Sequence, residues 1–335
     1  MTDASVRAAD AAAPATATPT GVAAFRAYLA ERFPVPVTLM LAVATATAAY
    51  AVAQAPGFAT GHWPLLIDDT ALGGVGLVFL LLFHLRVFDE HKDFAEDART
   101  RPDRPVQRGL VTLAQLKVYG AIALALEIAI ALAPGLAAGW WWALVIGYSV
   151  LMLFEFFAPR WLERHFGTYA ISHSAIMSVV VLALVMRFAA RSGVVPTPEL
   201  IVLAVQALAS TFSIDVLRKT WAQSSELDGV MTWSKQLGRP RAGVLGGALL
   251  ALAGACAAWL GVRVGGGILW IGVVAGLTGA CIVQIRAFVR APTAKGEKGL
   301  QAVAGVHYLV VWTGIAVVAA IAHGVRFDVL GLTGG

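Results

Sequence analysis

The sequence predicts an all-α membrane protein, a bundle of about nine transmembrane helices, and three observations predict it. Hydrophobic residues occupy 59% of the 335 positions and charged ones only 13%, with a mean hydropathy of +0.75. A soluble domain of that length needs far more polar surface to cover itself. Apolar runs long enough to cross a bilayer recur nine times, separated by breaks that hold Pro56, Pro134, Pro159, Pro196, Pro240 and Pro292. Twenty-one of the 25 Lys and Arg residues then fall on one side of the resulting topology, leaving Arg187, Arg191, Arg263 and Arg326 on the other.

In chain order, residues 1–24 are rich in Ala, Thr and Pro and lack the basic-then-apolar order of a signal peptide, which predicts a disordered tail. Residues 25–34, "FRAYLAERFP", alternate apolar and charged side chains at the spacing of a short interfacial helix, and they open a single polytopic domain over 25–335. The predicted spans cover about residues 36–55, 70–88, 112–133, 139–157, 168–188, 199–216, 242–261, 266–288 and 302–322. The positive-inside rule puts the N-terminus in the cytoplasm and the C-terminus outside, as expected for a multi-pass protein of the cell (inner) membrane. The net charge of +5 is therefore a topology signal with some attraction to anionic lipid, and it implies no nucleic acid. Cys256 and Cys281 sit in apolar runs and read as buried small hydrophobes. No Gly-rich phosphate loop, His/Cys zinc pattern or GxSxG elbow occurs.

One stretch breaks the apolar pattern. "FDEHKDFAEDARTRPDRPVQRG", residues 88–109, carries Asp89, Glu90, Asp93, Glu96 and Asp97, followed by Arg99, Arg101, Arg104 and Arg108. If span 2 continues as a helix past the membrane face, Asp89, Asp93 and Asp97 fall at i, i+4 and i+8, with Glu90 and Glu96 flanking the stripe. Like charges at that spacing repel, and a divalent cation that bridges them turns the cost into a gain. Oxygen-only ligands select Mg²⁺, which keeps waters and shares substrate phosphates. A solvated helix end laced with salt bridges is the plainer alternative. Against it stand the adjoining apolar span and the guanidiniums of "RPDRPVQRG", which suit phosphate oxygens. Carboxylates, Mg²⁺ and arginines beside an apolar bundle fit a lipid with a diphosphate head.

These residues resemble the first aspartate-rich motif of the UbiA superfamily of intramembrane prenyltransferases, NDxxDxxxD followed by an RPxRP-type segment and a glycine. Asp89 falls where the family has Asn, Glu90 where it has the first Asp, and Asp93 and Asp97 on the other two. The resemblance implies nine helices around a central cavity open to the cytoplasmic side. It also implies a Mg²⁺-dependent transfer of a prenyl group from a polyprenyl diphosphate to a lipophilic, possibly aromatic, acceptor. Asp89, Glu90, Asp93 and Asp97 would then hold the metal, with Asp93 and Asp97 catalytic, and Arg104 and Arg108 would bind the diphosphate. The family's second motif, DxxxD before a glycine, is altered here. Gly229, Thr232 and Gly238 match, but Ser225 and Trp221 stand four and eight residues before Gly229. Arg218 and Lys219 are expected to replace part of the missing metal charge, or else to serve as topology anchors. "PRWLERHFGTY" resembles the family's 4–5 loop, with Arg164 preferred over Arg160 as the residue approaching the diphosphate. Tyr169, His173, His307 and Tyr308 are expected to face the interior, the histidines more as structural hydrogen-bond partners than as catalysts. Glu127 and Glu155 should also point inward, without an assigned role. A UbiA-type terpene cyclase is the alternative enzyme, and a transporter or lipid-binding membrane protein the alternative class.

Overall fold

The computed structural model describes residues 20–61 and 63–329. Residues 1–19 of the expected tail lie outside the described residues, and from Gly21 the chain is helical, running through Gly21–Arg32. That N-terminal helix lays its apolar face on spans 2 and 3. Phe25 packs against Phe83 and Tyr119, Phe33 against Phe79 and Phe83, and Tyr28 is fully buried.

Among the described residues, nine helices are long and apolar enough to cross a membrane. They are Val35–Thr60, Asp69–Lys92, Leu113–Leu132, Leu136–Leu153, Phe166–Ser192, Thr197–Arg218, Arg239–Arg263, Ile268–Arg290 and Ala294–His323, spans 1 to 9 below. Their ends follow local chemistry. The Asp68 carboxylate caps span 2 by accepting from the amides of Thr70 and Ala71 at 2.9 and 3.0 Å. Thr112 and Gln115 form a capping box at the start of span 3. Gly193, in the left-handed region, stops span 5. Span 4 ends at Leu153, four residues short of the expected limit, because the chain turns sharply over 154–158.

Consecutive spans pack side by side, and span 9 returns to span 1, so the nine close into a ring. Spans 1, 5, 6 and 9 also meet across it, filling much of the interior with Ala48, Val180, Leu203, Trp312 and Ile315, all fully buried. Span 1 achieves its close approach with a run of buried alanines, Ala42 to Ala53. Small residues let helix backbones come together where lipid supplies no hydrophobic drive. The same logic seats Trp270: a Cβ on Gly261 or on Gly314 would come within 1.9 or 2.3 Å of its ring. At the end of the bundle away from the acidic stretch, β1 (Leu65–Asp68) pairs in parallel with β2 (Val325–Asp328), a ladder the sequence does not announce.

Polar groups inside the bundle are tied together. His84 of span 2 sits 2.5 Å from Glu127 of span 3 and 3.1 Å from Ser149 of span 4, and Trp142 of span 4 donates to Glu127 at 3.1 Å. Glu127, without a role on sequence grounds, thus pins three spans. Arg187 of span 5 donates to the carbonyls of Ala131 and Ile130 at 2.5 and 2.8 Å, satisfying the end of span 3. His307 approaches Thr278 at 3.1 Å, and Tyr308 approaches Thr45 at 2.6 Å.

Glu127→Leu strips His84 and Trp142 of their shared acceptor in a dry interior. Breaking such a buried pair should lower stability by about 3 kcal/mol, against less than about 1 kcal/mol for Ser149→Ala. Unfolding by denaturing detergent in mixed micelles reads both, and equal stabilities would remove the network's structural role.

Candidate active site

The acidic stretch forms the mouth of span 2. The helix ends at Lys92 and resumes over Phe94–Thr100, with Asp93 at the bend. The i→i+4 bonding nonetheless carries through: the amide of Asp93 donates to the Asp89 carbonyl, that of Asp97 to Asp93, and that of Arg101 to Asp97, each at 2.8 Å. Asp89, Asp93 and Asp97 are therefore stacked on successive turns, as the spacing predicts.

Each acid has a distinct environment. Asp89 is half-exposed, 3.4 Å from Arg86. Glu90 is buried and turned toward the N-terminal helix, where Arg32 Nε donates to it at 2.6 Å. Its other carboxylate oxygen has no hydrogen-bond partner. Asp97 is buried and paired with Arg104. Asp93 lacks such a partner. Burial pushes its pKa up from 3.8 to about 6, with the Asp89 carboxylate and, more weakly, Asp97 and Glu96 adding to it against Lys92.

The basic residues assemble from distant parts of the chain. Arg101 is half-buried, and its pKa is lowered first by burial and then by Arg104, with Arg32 and Arg218 adding. Guanidiniums from the N-terminal helix, the segment after span 2 and the end of span 6 thus share one small region. Arg218 and Lys219 lie there through Asp215, whose carboxylate meets them at 3.3 and 2.7 Å and accepts from the Trp233 indole at 3.0 Å. Lys219 also sits 5.4 Å above the Phe166 ring. Two expected residues point elsewhere. Arg108 pairs with Glu31 on the surface, and exposed Arg164 donates to the Arg160 carbonyl at 3.0 Å. Ser225 lies in a loop where Glu226 is held by Thr232 and Ser234, while Asp215 occupies the last turn of span 6.

Among the described residues, no three His, Cys, Asp or Glu side chains stand close enough together to hold one metal ion. The chemistry of the stripe still fits Mg²⁺. Asp89 and Asp93 are oxygen donors on successive turns, and burial together with the Asp89 carboxylate disfavours the ionised form of Asp93, a cost that a bound cation would offset. Mg²⁺ needs only one or two carboxylates when waters and phosphates complete its shell. Glu90 fits less well, since Arg32 already claims its carboxylate.

A sequence model of the UbiA prenyltransferase family matches residues 39–306. The chain belongs to this family. Two solved structures share the fold. One is of a digeranylgeranylglyceryl phosphate synthase, 16% identical, with a TM-score of 0.60 over 88% of this chain and 98% of that one. The other is the apo structure of a UbiA homolog from Aeropyrum pernix K1, 15% identical, with a TM-score of 0.60 over 84% and 97%. No curated protein sequence matches the chain.

Beside the stripe, this UbiA family member carries a strained turn. Glu155, Phe156 and Phe157 adopt φ of 49°, 51° and 57°, three consecutive non-glycine residues in the left-handed region. Each costs roughly 1–2 kcal/mol, so neighbouring contacts must hold them. Glu155 is 2.9 Å from the Lys92 ammonium, which also donates to the Tyr169 hydroxyl at 3.0 Å. Phe156 packs edge-on against Tyr148 and His173. Next to this turn lies a cavity of about 10 Å³ lined by Leu85, Phe88, Asp89, Lys92, Met152 and His173, among others. Arg32, Lys92 and Asp215 are candidate-site residues to which sequence reasoning gave no part, and Glu155, expected only to point inward, joins them through Lys92. Only Asp215 left a usable signal, an acid with a lysine at i+4 where span 6 ends.

The raised Asp93 pKa fixes a sign. A carboxyl raised in the folded state destabilises the protein when ionised, so its cost is absent below about pH 3.8 and complete above about pH 6. Asp93→Asn should therefore be more thermostable than the parent at pH 7.5 in metal-free buffer, with the gap closing as pH falls through that window. A constant gap would mean that Asp93 is not desolvated among like charges.

Proposed function

We propose that the chain moves a prenyl group from a polyprenyl diphosphate to a lipophilic acceptor, with Mg²⁺ as cofactor. The support is one juxtaposition: a carboxylate stripe and guanidiniums from three separate elements meet at one end of an apolar bundle. Asp89 and Asp93 would hold Mg²⁺, which when bound draws charge off the leaving diphosphate, while Asp97 holds Arg104 beside it. Arg101, Arg104, Arg218 and Lys219 donate charge-assisted hydrogen bonds to diphosphate oxygens. The altered second motif then follows electrostatically: Lys219 and Arg218 on Asp215 bring fixed positive charge where the family pattern has a second acid. Glu90, on Arg32, anchors the N-terminal helix over the stripe. Arg108 and Arg164 stand at the rim, reachable by substrate after side-chain rotation. Ionisation of the allylic carbon–oxygen bond leaves a cation that aromatic ring faces stabilise, and the apolar walls keep water away from it. The basic residues clustered at this end support a site that faces the cytoplasm from the cell membrane, by the positive-inside rule.

Three outcomes are expected in proteoliposomes supplied with Mg²⁺ and a panel of prenyl diphosphates, with products read by mass spectrometry. Asp93→Asn and Asp97→Asn lose product formation while inserting and folding. Arg104→Ala raises KM for the diphosphate or lowers kcat. Neutralising Arg218 and Lys219 together costs roughly 1.5–3 kcal/mol, about ten- to 150-fold in kcat/KM, and steepens the Mg²⁺ dependence. The same pair in an Asp215→Asn background separates lost charge from an orphaned carboxylate. Parent-like turnover in all of these would return the charges to a purely structural role. An acceptor-free hydrocarbon would identify a cyclase, and absence of Mg²⁺-dependent diphosphate release a non-enzyme.

A further inference from the structure

Transfer to an acceptor of the form X–H releases a proton, and none of the groups assigned above takes it. Asp89 and Asp97 are paired with Arg86 and Arg104, Asp93 is assigned to the metal, and the arginines and Lys219 are already protonated. His173 of span 5 differs from every one of these. Its Nδ1 lies 2.8 Å from the Tyr169 carbonyl, which can only accept, so Nδ1 carries the hydrogen. Nε2 therefore holds the lone pair, and that atom is buried with no hydrogen-bond partner. The ring is fixed on both sides, stacked on Tyr169 with centroids 4.0 Å apart and met edge-on by Phe156 at 5.9 Å. It lines the small cavity shared with Asp89, Lys92 and Ser149. Among the histidine nitrogens buried without a partner, those of His173, His307 and His323, the His173 nitrogen belongs to a ring that lines a cavity together with a member of the aspartate stripe, Asp89.

We propose that His173 Nε2 is the general base of the transfer. This rests on the prenyl-diphosphate function proposed above. The allylic C–O bond breaks with its electron pair leaving on the diphosphate. The acceptor's electron pair forms the new bond to that carbon, and the acceptor's proton passes to Nε2. The resulting imidazolium shares its cavity with Asp89 and Lys92, and that ammonium is already engaged by Glu155 and the Tyr169 hydroxyl. The left-handed turn gains a purpose: it sets Glu155 on Lys92, holding that ammonium toward Tyr169 rather than over the base, and it sets Phe156 against the imidazole. Met152, Leu153 and Leu85 close the cavity, and the acceptor displaces these unbranched or γ-branched side chains on entry.

The test uses full-length parent, His173→Asn and His173→Gln in proteoliposomes, with geranylgeranyl diphosphate and Mg²⁺ as donor probe and a quinol-containing lipid extract as acceptor. Two quantities are measured: binding of the donor probe with Mg²⁺, and formation of prenylated lipid. Both variants should bind the donor as the parent does and form prenylated lipid at least about 100-fold more slowly, the low end for losing a general base. Transfer within tenfold of the parent would overturn the assignment and leave the prenyltransferase function standing, as would an equal loss of donor binding. A parent that neither binds the donor nor forms prenylated lipid would remove the donor assignment, and the base with it. Should the variants fail to fold, the parent in D₂O decides: transfer must slow while donor binding does not change, and equal effects would overturn the proposal.

Discussion

Five carboxylates within nine residues at the mouth of an apolar helix repel one another, and the acidic end of the bundle is organised around neutralising them. Lipid offers no counter-charge, so the partners come from protein. Arg32 from the N-terminal helix takes Glu90, Arg86 takes Asp89, and Arg104 takes Asp97. Two of these pairings also fasten an element: the N-terminal helix to span 2, and the arginine-rich segment back onto the short helix before it. Asp93 has no such partner, and burial together with the Asp89 carboxylate pushes its pKa up to about 6. That imbalance is what a divalent cation would relieve, and it is why the site can serve binding rather than only architecture.

Away from that end, cohesion has a different source. Spans 3 and 8 expose apolar side chains such as Ile122, Leu126, Leu269 and Val283 outward, where hydrocarbon replaces water as the neighbour. With little hydrophobic drive between helices, close packing carries the load, through the alanines of span 1 and the glycines that admit Trp270. A few buried polar ties set the register, Glu127 and Arg187 above all. These two are expensive in lipid, and the cost is offset by the bonds of both Glu127 oxygens and two Arg187 nitrogens to protein.

The spans were legible because hydropathy and charge asymmetry are averages over about twenty residues, insensitive to local detail. The aspartate stripe was legible because helical spacing alone stacks i, i+4 and i+8. What escaped depends on contacts remote in sequence. Arg32 reaches Glu90 across 58 residues and Glu155 reaches Lys92 only because of a backbone conformation that no glycine advertises. Asp215 escaped for another reason. Counting back from Gly229 led into a loop, whereas span 6 places its functional acid on its own last turn. His173 and Tyr169 were assigned to the interior correctly, but the tautomer and the unpartnered nitrogen exist only in three dimensions.

The ring's seam joins the two extremes of the chain. Thr45 meets Tyr308, the amide of Leu65 donates to the Gly324 carbonyl at 2.9 Å, and β1 pairs with β2. A ribosome delivers the spans one after another, so the first must wait, with that seam unsealed, until the ninth has been made. Loop closure over some 260 residues costs only modestly more than over a short loop, since the entropy grows with the logarithm of length. The delay is one of time rather than of equilibrium. Assembly therefore has a defined final event, and a chain truncated before span 9 is left as an open arc whose edge helices, rich in small residues, are free to pair with the wrong neighbour.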